Sequence, residues 1–167
     1  MIITLMVKND EFSISIITPC LNESENIPIL VKEVKKYIDP LTSNYEIIIV
    51  DDGSQDSTWE KINQLHKSDS IVKGIKFSRN FGNESAVLAG VMESRSDVVI
   101  IIDSDLQYPP SLIPKLIDCW KVKKCHIVEG IKKTRGKESL IDKLYSTIFY
   151  SVFKVLTNQD LKNSADF

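Results

Sequence analysis

The sequence contains neither GxGxxG nor GxxxxGK followed by Ser or Thr, which counts against a dinucleotide-binding dehydrogenase and against a P-loop phosphate cradle. Its three cysteines, Cys20, Cys119 and Cys125, are odd in number and never spaced CxxC, so neither a disulfide framework nor a zinc site is indicated. The cytosol fits that usage best. The two histidines, His66 and His126, stand alone and read as surface or packing residues rather than ligands. No apolar run approaches the ~18 residues of a spanning helix, and residues 1–7 are too short, and lack the basic start, for a signal peptide. Internal repeats, low-complexity tracts and Gly/Ser linkers are missing too, so nothing marks a domain boundary.

What is present is the composition of one globular domain: 167 residues, 43% hydrophobic and 26% charged, enough to bury a core of its own. Net charge is −2, but the signs are unevenly spread. Residues 121–143 carry eight Lys or Arg against three acids, a local +5 that leaves −7 for the rest. Such a patch suits an anionic ligand or lipid, although a solvated charged face gives the same pattern. General nucleic-acid binding is not suggested.

The run Val98-Val99-Ile100-Ile101-Ile102 is β-branched throughout and stops at Asp103-Ser104-Asp105, the pattern of a buried strand that ends in two carboxylates. Carboxylates spaced i, i+2 repel each other and resist desolvation unless a cation sits between them, and hard oxygen ligands suit Mg2+ or Mn2+. Asp-x-Asp alone occurs in many chains as a solvated loop. Its place at a strand's carboxyl end favours a ligand site, because open α/β sheets bind ligands there. Pro109-Pro110 then stops the chain and starts a helix.

Elsewhere the chain alternates strand and helix. Strands are predicted over residues 13–18, 45–50, 71–77, 97–102 and 125–128 from apolar, β-branched runs. Helices follow the first four. Their apolar residues fall at helical spacing, as in Ile27, Leu30, Val31, Val34 and Ile38, or Leu112, Ile113, Leu116, Ile117 and Trp120. Ala86, Ala89 and Gly90 make the third helix one that packs closely. Asn22 and Glu23 suit helix caps, and Asp51-Asp52-Gly53-Ser54 suits either an Asx turn or acceptance from ribose hydroxyls and base N–H groups. Arg79 suits a phosphate or a nearby acid. This alternation argues for an α/β fold, a mostly parallel sheet flanked by helices. Beyond the last strand, residues 132–137 make a basic loop, and Leu140, Leu144, Ile148, Phe149, Val152 and Phe153 outline an apolar-faced helix over 139–157. That helix fits a core, or an anionic membrane surface on which it would lie. Residues 1–12 are expected to be a disordered leader.

Taken in order, Pro19, Asn22-Glu23, Asn26-Ile27, Asp51-Asp52-Gly53-Ser54, Ser78-Arg79-Asn80-Phe81-Gly82, Asp103-Ser104-Asp105-Leu106-Gln107 and Pro109-Pro110 form a set that resembles the inverting, GT-A-fold family 2 glycosyltransferases. It is most similar to their polyprenyl-phosphate type, which includes dolichol-phosphate mannosyltransferase and bactoprenol glucosyltransferase. The resemblance covers almost the whole chain and implies a single GT-A catalytic domain, a Rossmann-like nucleotide-diphospho-sugar transferase fold, over residues 1–167. It implies a nucleotide pocket of Pro19, Asn22, Glu23, Asp51, Asp52 and Ser54, extended by Arg79, Asp103 and Ser104. By the same resemblance Asp103, Asp105 and Gln107 hold Mg2+ or Mn2+ and the donor diphosphate. The catalytic set is then Asp105, Arg135 in a mobile loop that closes over the diphosphate, and Asp166, which helps place the acceptor. Asp166 lies in Asn163-Ser164-Ala165-Asp166-Phe167, similar to the family's Asn-Ala-Ser-Asp-Phe-Arg with two small residues exchanged.

The implied reaction moves a sugar from a UDP- or GDP-linked donor to a polyprenyl phosphate, with inversion by a single displacement. A phosphate monoester with a second pKa of ~6 is largely ionised at neutral pH, so this acceptor needs orientation more than deprotonation. The expected location is cytoplasmic, peripheral to the membrane surface, with an anchor through C-terminal helices such as many members carry; the oligomeric state is left open. Two departures from the pattern are Tyr108, where the family usually has Asp, and the end of the chain at Phe167, before the motif's Arg. The second is expected to reflect truncation. Two other functions fit the same residues: transfer to a glycan hydroxyl, which requires a carboxylate base, and a catalytically silent nucleotide-sugar-binding or membrane-docking module.

Overall fold

The computed structural model describes residues 2–5 and 12–130. In chain order these form β1 (Ile2–Leu5), β2 (Ile14–Cys20), α1 (Asn26–Ile38), β3 (Tyr45–Asp51), α2 (Thr58–Ser68), β4 (Val72–Lys76), α3 (Asn83–Glu93), β5 (Val98–Ile101), a 3-10 turn at Pro110–Leu112, α4 (Ile113–Lys123) and β6 (Ile127–Glu129). The five predicted strands and four helices are present, displaced by one or two residues at their ends. Residues 2–5 depart from the expected leader. They form β1, which pairs antiparallel with both β5 and β6, because backbone pairing in a six-stranded sheet compensates the ordering of so short a segment.

The sheet order is β4-β3-β2-β5-β1-β6. Strands β2 and β3 run parallel in register from Ile14↔Tyr45 to Cys20↔Asp51, and β2 pairs β5 in parallel from Ile14↔Val98 to Ile17↔Ile101. The carboxyl ends of all three therefore emerge at one edge. Every residue of β2 is buried, as befits a central strand covered on both faces. Pro19 is tolerated there because the Cys20 carbonyl faces the β3 side, where it accepts from the N–H of Asp52 just past that strand. Its neighbour Pro19 then faces the β5 side, beyond the last paired residue, and its missing N–H costs no ladder bond.

Alternation along the strands sorts the core onto two faces. Ile14, Ile16, Ile47, Ile49 and Ile100 pack beneath α1, α2 and α4 with Leu30, Val34, Ile62, Ile117 and Trp120. Each such side chain contributes about 1.5–3 kcal/mol by leaving water. On the other face Ile48 and Val50 meet Ala86 of α3. There α3 approaches so closely that a Cβ on Gly90 would lie 2.4 Å from Ile17 Cγ2, which explains the small residues predicted for that helix.

From β2 the chain steps outward to β3 and β4 and then crosses by α3, over the opposite face, to the other side of β2. The winding direction reverses between β2 and β5. Ligand crevices of open α/β sheets form at such a switch point, outside the carboxyl ends of the two strands. Residues 2–130 fall within one compact unit, Met1–Gly130. No helix among the described residues is long and apolar enough to cross a membrane. Arg135, Asp166, the basic loop and the 139–157 helix all lie outside the described residues.

Candidate functional site

A cleft of ≈ 320 Å³ opens at the switch point on the carboxyl edge of the sheet. Pro19, Cys20, Leu21 and Glu23 line it from the turn after β2, and Asp52 from the end of β3. Asn80, Gly82 and Asn83 contribute the wall that follows β4. Asp103, Ser104 and Asp105 form the wall that follows β5.

The β3 and β4 loops are locked to each other. Asp52 is buried, and its Oδ1 accepts from the Phe81 N–H at 2.7 Å while Oδ2 accepts from the Gly82 N–H at 2.9 Å. Hydrogen bonds to a carboxylate are stronger than those between neutral groups. Beside it Gly53 has φ +79°, and a Cβ there would stand 2.4 Å from the Arg79 carbonyl carbon and 2.7 Å from the Asn80 nitrogen. Only glycine allows the two backbones to come so close. Among the described residues Arg79 pairs with no acid, and it does not line the cleft; its guanidinium lies 4.6 Å over the Phe81 ring, which meets Phe77 edge-on at 5.5 Å.

A second set of bonds ties the β2 turn to the start of α2. Asn22, at φ 57°, receives Gln55 N–H on Oδ1 at 2.9 Å, and its own N–H donates to Ser54 Oγ at 2.9 Å. Glu23 N–H donates to Thr58 Oγ1 at 2.8 Å, and Glu23 Oε2 accepts from Asn26 Nδ2 at 2.6 Å. Neither α1 nor α3 has a side-chain cap, so the cap reading of Asn22 and Glu23 gives way to loop-to-loop bonding. Asp51 is fully buried below the cleft: Oδ1 accepts from Ser54 N–H at 2.8 Å, and Oδ2 has no partner among the described residues. Burial first, then the Asp51 and Glu23 carboxylates, push the Cys20 thiol up to about 12. It stays neutral and unreactive at neutral pH.

The β5 wall is built differently. Ser104 is buried, Asp103 half-buried and Asp105 exposed. Leu106 takes a left-handed φ of 61°, which turns the chain so that Gln107 N–H reaches Asp105 Oδ1 at 2.9 Å. Among the described residues neither Asp103 nor Asp105 forms an ion pair. Two hard carboxylates sharing a cleft without a protein counter-charge fit Mg2+ or Mn2+, which are held through one or two carboxylates, with phosphate oxygens and water completing the shell. The described residues contain no group of three or more His, Cys, Asp or Glu that would make a closed protein cage.

Of the sequence-predicted residues, the structure brings Pro19, Glu23, Asp52, Asp103, Ser104 and Asp105 together on the cleft. It places Asn22, Asp51, Ser54 and Arg79 in the scaffold around it, and leaves Gln107 exposed, off the cleft wall. Sequence reasoning gave no role to Asn80 or Gly82. Asn80 and Gly82 stood inside a motif segment, but only the fold over Asp52 aims that segment at the cleft.

Residues 15–166 match the family described as Glycosyl transferase family 2. The chain is 35% identical over 155 residues to the prophage bactoprenol glucosyl transferase homolog of Escherichia coli K12, covering 92% of this chain and 50% of that one. It is 36% identical, with the same coverage, to the bactoprenol glucosyl transferase of Shigella phage SfX. The chain thus spans about half the length of the curated relatives it matches. Among solved structures it is similar to TarS 1-349 of S. aureus in complex with UDP, with TM-score 0.59 and 19% identity over 77% of this chain and 39% of that one. It is also similar to the mannosyltransferase PcManGT of Pyrobaculum calidifontis in complex with GDP-Man and Mn2+, with TM-score 0.58 and 17% identity over 65% and 32%. These two likenesses bear on fold alone, and the fold is GT-A, as the sequence implied. With its ordered motifs gathered at one switch-point cleft, the chain belongs to glycosyl transferase family 2.

Proposed function

We propose that this chain carries the donor site of an inverting glycosyltransferase that moves a sugar from a UDP- or GDP-sugar to a polyprenyl phosphate. The observation that carries the donor half is the pair Asp103 and Asp105 on the β5 wall of a cleft whose opposite wall is held by Asp52. The lipid half is supported by relatives named bactoprenol glucosyl transferase at 35–36% identity.

Asp103 and Asp105 would hold Mg2+ or Mn2+, without Gln107, which is exposed and off the cleft wall, and the bound ion would neutralise charge on the departing nucleoside diphosphate. Pro19, Glu23 and Asp52 shape the wall against which the donor is oriented, while Asn22, Asp51 and Ser54 keep that wall rigid. A donor fixed in this way exposes the sugar's C1 on the side away from its diphosphate, and attack there inverts the centre. Arg135 and Asp166 are proposed to close over the diphosphate and to place the acceptor. The acceptor lies in a bilayer, so the enzyme works at the cytoplasmic membrane surface, with the 139–157 helix and the basic residues before it as the proposed contact.

Incubation of the chain with radiolabelled UDP- and GDP-sugars, Mn2+ and polyprenyl phosphate in vesicles, followed by solvent extraction, tests the whole reading. Label in the lipid phase that disappears with EDTA is the expected result. Label transferred only to soluble glycan, or none from any donor, would sink it.

A further inference from the structure

Asn80 lies on the cleft wall with half of its amide already engaged. Its Oδ1 accepts from the Gly82 N–H at 3.0 Å. Because that partner is a donor, the amide atom facing it is the oxygen. The Nδ2 group is therefore turned away from Gly82, and among the described residues it donates to no protein acceptor. Asp52 grips the same loop by the Phe81 and Gly82 N–H groups, and Gly53 abuts the Arg79 and Asn80 backbone. The Asn80 backbone is thereby held in place, while its exposed side chain is oriented by the one bond from Gly82 N–H.

Its place in the sheet says what it faces. Asn80 follows β4 and the Asp103–Asp105 pair follows β5, with β3 and β2 between them, and neighbouring strands are ~4.8 Å apart. Both border the same cleft, so a donor whose diphosphate sat at Asp103 and Asp105 would have Asn80 on the opposite wall.

We propose that Asn80 is a specificity-determining contact that gives its amide N–H to an oxygen acceptor on the donor's nucleoside, and that Asp52 is a positioning residue acting through the Asn80 loop. This rests on the nucleotide-sugar reading of the cleft. It departs from the implied role of Asp52 as a direct nucleotide ligand, since both of its carboxylate oxygens are bonded to backbone.

Titration calorimetry of the full chain with Mn2+ and, in turn, UDP, GDP and pyrophosphate tests it. Asn80→Ala leaves Asp52 on the Gly82 N–H, so the loop is retained. It should lower affinity for the preferred nucleoside diphosphate at least about fivefold, the scale of one hydrogen bond, while Mn2+-pyrophosphate affinity stays within about twofold. Asp52→Asn should show the same selective loss, and the double variant should lose no more than the larger single change, as expected when one residue acts through the other. Unchanged nucleotide affinity in Asn80→Ala, or an equal loss for pyrophosphate, would overturn the Asn80 contact. Additive losses would overturn the positioning role and return Asp52 to direct contact. A wild-type chain that binds neither UDP nor GDP in Mn2+ would overturn the donor reading itself, and this inference with it.

Discussion

The two walls of the cleft are made of similar residues and built on different principles. On the β3–β4 side two adjacent acids, Asp51 and Asp52, are buried, and three of their four carboxylate oxygens accept backbone N–H groups. On the β5 side Asp103 and Asp105 are more open, and one internal bond, from Gln107 N–H to Asp105, uses one of their oxygens. Carboxylates of the first kind hold loops together. Those of the second kind are left accessible on the cleft wall. An acidic pair at a strand's end is thus not one feature: its role is set by how many N–H groups the neighbouring loop brings to it.

If that contrast is right, substitutions on the two sides should separate stability from binding. The largest effect is expected from Gly53→Ala, which forces a left-handed conformation and a clash with the Arg79 backbone. We expect roughly 3 kcal/mol of destabilisation, read as a lower denaturant midpoint. A midpoint within error of wild type would break the β3–β4 half of the comparison.

Asp105→Asn should do the reverse. Metal-dependent binding of UDP or GDP should weaken by about 2 kcal/mol, the worth of a charge-assisted contact, while the midpoint hardly moves. Equal nucleotide affinity in EDTA and in Mn2+ would remove the β5 half. Ser54→Ala, which deprives Asn22 N–H of its acceptor, sharpens the comparison at smaller scale. A loss of about 1 kcal/mol of stability is expected, with Mn2+-pyrophosphate binding unaltered.

Acid supplies the mildest test, at the opposite edge of the sheet. The Ser13 N–H first, and then the Ser13 hydroxyl, hold the Asp97 carboxyl below its usual 3.8. A depressed folded-state pKa gives stabilisation that is complete above the unfolded value and lost as pH falls through 3.8 toward the folded one. Melting temperature should therefore decline between about pH 5 and pH 3, and less steeply in Asp97→Asn. Identical slopes would remove Asp97 from the acid response.

The sequence by itself determined the layered α/β architecture and the site's position at the carboxyl edge. Period-two and helical spacing dictate which face each residue buries, and a β-branched run that stops at Asp103-Ser104-Asp105 needs no tertiary information to be read as a strand delivering carboxylates. It missed β1, because a short apolar segment is a strand only when partners such as β5 and β6 complete its backbone hydrogen bonds. It also could not tell Asp52 from Asp105, nor see that Asn80 enters the cleft while Arg79 stacks on Phe81. Only the tertiary structure decided these points, because the N–H donors that make Asp52 part of the scaffold, on Phe81 and Gly82, lie 29 and 30 positions along the chain and reach it only in the folded sheet.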